Sequence, residues 1–166
     1  MAVTADILRS WRAPRLVVRD RLAQGVREDR ALAMVIGACL LMFLGRLPGY
    51  ARAAYQNPAI PLDARVGGGL LAMVFLVPLI LYGVAGISHI VLRAMGGTGS
   101  PYGARLALFW SLLAASPAIL LQGLIEGLAG PGTIATITGL AVLIAFLMLW
   151  RAALAQVGFP NSLVQG

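Results

Sequence analysis

Apolar positions in this chain fall into four long runs, each bounded by arginine, proline or glycine, with none of the alternation that marks a half-buried strand. Residues 31–45 lie between Arg30 and Arg46 and lead on toward Pro48; residues 66–92 lie between Arg65 and Arg93. Residues 106–125 end at Glu126, and residues 133–150 end at Arg151. A helix rises 1.5 Å per residue, so about 20 apolar residues cross a hydrocarbon core of about 30 Å. The pattern predicts an all-α fold, a polytopic transmembrane helical bundle with spans at about residues 31–48, 66–92, 104–126 and 133–152. The first run gives only about 22 Å of helix, so its flanking arginines must snorkel. The second gives about 40 Å, and tilt or a bend at Pro78 takes up the surplus.

The connections follow from the same pattern. Pro48, Tyr50, Tyr55, Asn57, Pro58 and Pro61 predict a turn-rich loop over residues 48–65, and Gly67, Gly68 and Gly69 predict a frayed start to the second span. Over residues 93–105 a glycine-rich loop ends where Ser100 can cap a helix and Pro101 fits its first position. Seven residues part Ile125 from Thr133, which dictates an antiparallel hairpin for the last two spans. Residues 156–166 read as a tail, too short and too broken by Gly158 and Pro160 for another span.

Residues 1–30 have a different pattern. Ile7, Trp11, Val18 and Leu22 share one stripe at 100° per residue, with Arg9, Arg12 and Arg19 to one side of it. The head is therefore expected to form an amphipathic helix in the headgroup plane, anchored by Trp11 and interrupted at Pro14. Its expected membrane-surface contacts are Arg9, Trp11, Arg12, Arg15 and Arg19. The domain order is a head at 1–30, a bundle at 31–155 and the tail.

Composition narrows the classes. Apolar residues make up 60% and charged residues 11%, against roughly 45–50% and 25% in soluble domains. This excludes a disordered chain, a disulfide scaffold and a typical cytosolic enzyme. The net charge of +7 comes from 13 basic residues, all arginine, placed mainly in the head and at the ends of apolar runs. Anionic lipid headgroups, and not nucleic acid, are the partner this placement predicts. With four spans, ten arginines share one side, and Arg46, Arg52 and Arg65 lie on the other. The positive-inside rule then places both termini in the cytoplasm.

Few side chains in the apolar runs could carry chemistry. Ile36-Gly37-Ala38-Cys39 has the small residues of a lipoprotein cleavage site, but apolar residues continue past Cys39, so the span is read as uncleaved. His89 is of the type that ligates haem or chlorophyll, although a hydrogen-bonded histidine that sets helix depth is the simpler reading. Glu126 stands at a span end, where a carboxylate marks the interface. Ser111 and Ser116 lack a nucleophile elbow, and residues 96–100 lack the lysine of a phosphate loop. No catalytic, cofactor-binding or metal site is expected. Small residues at spacing four, Ala33/Gly37, Gly68/Ala72 and Ala135/Gly139, are the expected helix-packing positions.

One stretch resembles a known family. The Arg-rich head, a first span, a Pro-rich loop and a second span lead to Leu92-Arg93-Ala94-Met95-Gly96-Gly97-Thr98-Gly99-Ser100-Pro101-Tyr102, after which Ala114-Ala115-Ser116-Pro117 interrupts the third span. This arrangement, with the opening Leu8-Arg9-Ser10-Trp11-Arg12-Ala13-Pro14-Arg15, is similar to bacterial proteins of the Yip1 family. The resemblance implies a non-enzymatic protein of the bacterial inner membrane that acts as a scaffold or assembly factor, with other membrane proteins or itself as partner. The family is usually described with one span more than is predicted here. Two other functions remain open from the residues: an accessory subunit of a respiratory or photosynthetic complex, or a small transporter using Glu126, Gln122 or His89.

Overall fold

The structure, a computed structural model, describes residues 3–159. Two short helices, α1 (Val3–Arg12) and α2 (Pro14–Leu22), precede α3 (Glu28–Gln56). Next, α4 (Leu62–Leu71) and α5 (Val77–Ala94) are joined by a π turn at Ala72–Leu76, and α6 (Pro101–Ala129) and α7 (Thr133–Gly158) follow. Four units, Glu28–Gln56, Leu62–Ala94, Pro101–Ala129 and Thr133–Gly158, are long and apolar enough to cross a membrane. The chain is an all-helical, multi-pass membrane protein.

The helices outrun the predicted spans. Residues 48–56, expected as loop, are helical, because α3 passes through Pro48 and ends only at Gln56. A proline inside a membrane helix is tolerated where a neighbouring helix supports the loosened backbone, and Pro48 lies directly against Gly127 of α6. The three glycines of α4 do not fray. Before Pro78, the Val77 N–H reaches back to the Ala72 carbonyl, and this widened turn takes in the proline without breaking the rod. At the other end, α7 continues past the predicted limit at residue 152 to Gly158. Residues 160–166 of the predicted tail lie outside the described residues.

The cap predicted at Ser100 is formed: its Oγ accepts the Gly103 N–H at 3.0 Å, with Pro101 in the first turn. From there α6 runs through the centre of the molecule. Leu106, Leu108, Phe109 and Trp110 are at most 1% exposed, so this half of α6 has protein on every side. Its main partner is α3, which runs parallel to it. Tyr102 Oη meets the Arg27 carbonyl and Arg105 pairs with Glu28 at one end, Gly123 meets Gly45 midway, and Gly127 meets Pro48 beyond. Antiparallel α7 closes a second side, with Val157 against Gly103 and Gln122 beside Gly139. Helix pairing in lipid depends on such close backbone approach, because lipid tails are as apolar as the side chains they would replace. The outer faces of the Leu62–Ala94 rod and of α7 stay uncovered. Leu71, Phe75, Leu79, Ile134, Ile137 and Met148 are each at least 62% exposed, as lipid-facing positions are.

Pro117 costs α6 a hydrogen bond, and the local sequence repairs it. Without an N–H at Pro117, the Leu113 carbonyl loses its helical donor. The Ser116 hydroxyl, 1% exposed, donates to that carbonyl at 2.7 Å.

Candidate functional site

The head does not lie apart from the bundle. Pro14 breaks it, and α2 folds back beside α1, so that Asp6 faces Arg21 and Arg9 faces Asp20. The hairpin then packs on α6 and α7. Val17 and Val18 are buried in one cluster with Ala107 and Trp110 of α6 and with Ala153 and Val157 of α7, and Ile7 and Leu22 pack against it. Most of the stripe predicted to face lipid thus faces protein, because two helices carrying apolar faces at the head end bury more surface against each other than either does alone.

Polar bonds fix the depth of the hairpin. The Trp110 indole N–H donates to Ser10 Oγ at 2.9 Å, and the Ser10 hydroxyl donates to the Asp6 carbonyl at 2.7 Å. Arg21 lies over the Trp110 ring at 3.9 Å from its centroid and donates to Asp6 Oδ2 at 2.8 Å. With side chains only 13% and 15% exposed, this ion pair is largely desolvated, and the ring adds an attraction of about 0.5–2 kcal/mol. Trp11 stays 44% exposed, while its indole N–H donates to the Ala114 carbonyl at 3.1 Å. It anchors the head to α6.

The other predicted surface residues divide into two groups. Arg9 is paired with Asp20 at 3.2 Å. Arg12, Arg15 and Arg19 are exposed, and no ion pair or hydrogen bond engages their side chains among the described residues. On the connection into α3, the hydrogen bonds that the Arg27 guanidinium donates to Asp29, and then the charge of that carboxylate, hold Arg27 above its ordinary pKa.

The predicted packing positions also divide. Ala135 is buried, and Gly139 sits beside Gln122. Gly68 is exposed, and a Cβ there would meet nothing within 4 Å; the close approach is at Gly69, where a Cβ would stand 2.5 Å from Tyr50 Oη. Ala72 is half-buried inside the π turn. Ala33 is exposed, and a Cβ on Gly37 would also meet nothing within 4 Å. The glycines that do bring α3 and α6 together are Gly45, Gly123 and Gly127, the last two a glycine pair at spacing four that reads directly as a packing signal.

Ala33 and Gly37 instead border a cleft of about 580 Å³ between the head hairpin and α3. Its charged wall comes from Asp6, Arg9, Asp20 and Arg21 of the head and Arg30 of α3, and its apolar floor includes Met34, Gly37 and Leu113. Arg30 donates to the neutral Gln24 Oε1 at 2.5 Å.

At the far end, Arg52 donates to the Leu128 carbonyl at 2.9 Å, placing a cation on the C-terminus of α6. Gln122 donates to Glu126 at 3.3 Å on that helix. His89 lies toward the opposite end of the bundle, near Arg93, with a buried Nδ1 that finds no partner. Of the residues considered for a transport path, Gln122 and Glu126 are therefore adjacent, and His89 lies apart from them. Among the described residues, no group of three or more His, Cys, Asp or Glu side chains could hold a metal ion. No protein family, curated protein or solved structure matches the chain.

Proposed function

We propose that this is a non-enzymatic scaffold or assembly factor of the bacterial inner membrane, similar to the Yip1 family, with its head and both termini on the cytoplasmic side. One observation carries the reading: the head hairpin is pinned to α6 by Trp110, Ser10, Asp6 and Arg21, while Arg12, Arg15 and Arg19 stay exposed and unpaired. A basic surface in a fixed orientation suits contact with anionic headgroups, each arginine contributing about 1 kcal/mol near such a surface. The orientation is supported by the shared end of the head, the 93–105 loop and the end of α7, where the Thr98 N–H donates to the Gly158 carbonyl at 3.0 Å.

A second reading, an accessory subunit of a respiratory or photosynthetic complex, is favoured by the two outer units, each only 11% buried in its most apolar stretch. Purification in mild detergent followed by mass spectrometry separates the two. The scaffold reading expects the chain alone or with itself; stoichiometric cofactor-bearing subunits would replace that reading with the second.

A further inference from the structure

The cleft beside α3 is lined by both charged and apolar side chains. Arg30 stands in the first turn of α3, and Gly37 stands seven residues beyond it, about 10 Å further along the helix axis. The surface does not stop there. Ala33, Gly37, Leu40 and Leu44 follow one another at spacings of four, three and four along one side of α3, and Leu40 and Leu44 are 41% and 50% exposed. An apolar track therefore leaves the cleft and joins the lipid-facing surface.

The charges in the cleft are not balanced. Asp6 is paired with Arg21 and Asp20 with Arg9, whereas Arg30 has only the neutral Gln24. Of three guanidinium groups and two carboxylates, one cation is left over. A phosphodiester, with one negative charge, matches that excess and hydrogen-bonds well to guanidinium. An ammonium headgroup would find both carboxylates already engaged.

From this geometry we infer that the cleft holds one anionic glycerophospholipid, its phosphodiester beside Arg30 and one acyl chain laid along Ala33, Gly37, Leu40 and Leu44. The inference does not rest on the scaffold reading, since an accessory subunit would keep the same lipid. The lipid fills space that no helix occupies, and it links the head hairpin to α3 through a shared ligand.

Native mass spectrometry of the full chain from mild detergent, with thermal unfolding of delipidated protein, tests this. Wild type should retain one phosphatidylglycerol per chain, and added phosphatidylglycerol should raise Tm. Phosphatidylethanolamine and soluble glycerophosphate should not. Arg30→Gln removes the unbalanced charge, and Gly37→Leu fills the track without meeting protein atoms at its Cβ. Each should weaken retention about ten-fold with helical circular dichroism unchanged. The inference is overturned if both variants keep the lipid as wild type does. It is equally overturned if glycerophosphate or phosphatidylethanolamine stabilises as well as phosphatidylglycerol, or if no lipid raises Tm.

Discussion

At Gly123 the Gly45 carbonyl of α3 occupies the space where a Cβ would stand, and at Gly127 Pro48 does the same. Neither obstacle is the flexible end of a side chain, so a methyl group there has to push α3 away from α6. Gly123→Ala should destabilise the bundle by about 1–3 kcal/mol, while Gly37→Ala should stay within about 0.5 kcal/mol. Unfolding from mild detergent into denaturing detergent, followed by circular dichroism, measures both, and equal effects would refute the packing argument. The comparison also shows where sequence reasoning stops at this scale. Spacing four is visible at Ala33/Gly37 and at Gly123/Gly127 alike, but only the folded chain decides which pair meets a helix and which meets a cleft. The shift from Gly68 to Gly69 is of the same kind, since one position turns a residue by 100° around its helix.

Among the elements, the spans were the most legible feature, because a hydrocarbon core imposes one length and one composition on every helix that crosses it. Their ends were less so. Pro48 read as the start of a loop and Pro78 as a bend, yet each lies in a continuous rod, one supported by α6 and the other by a π turn. The head was legible as an amphipathic unit broken at Pro14, but an apolar stripe looks the same whether lipid or protein will cover it. Here the specific contacts argue for protein. Trp110→Phe keeps a ring beneath Arg21 but removes the indole N–H from Ser10, and should loosen the hairpin by about 1 kcal/mol. Asp6→Asn leaves the poorly solvated Arg21 without its carboxylate and should cost about 3 kcal/mol. Hydrogen exchange over residues 3–22 reads both changes, with the larger loss of protection expected for Asp6→Asn. Wild-type protection in that variant would show that the ion pair does not hold the head.

For the molecule as a whole, antiparallel packing of successive units sets one end, with the head, the 93–105 loop and the end of α7, against another carrying Arg46, Arg52 and Arg65. Reporter fusions at Tyr55 and Thr98 should therefore report opposite sides of the membrane, with Thr98 on the cytoplasmic side; the same side for both would refute the four-span topology. The contacts of the head also impose an order in time. Ser10 and Trp11 are synthesised about a hundred residues before the groups they bind, Trp110 and Ala114 (sequence separations 100 and 103). Val17 and Val18 wait longer still, for Ala153 and Val157. During translation the head therefore stands exposed while α3 and the Leu62–Ala94 rod enter the bilayer, and it can close only when α7 has followed. Ribosome-bound chains ending before Thr133 should be cleaved by protease within residues 3–22, and chains carrying α7 out of the ribosome should resist. In this protein a segment made before the four spans completes its packing only after the fourth of them has been made, so its docking reports that those spans have come together.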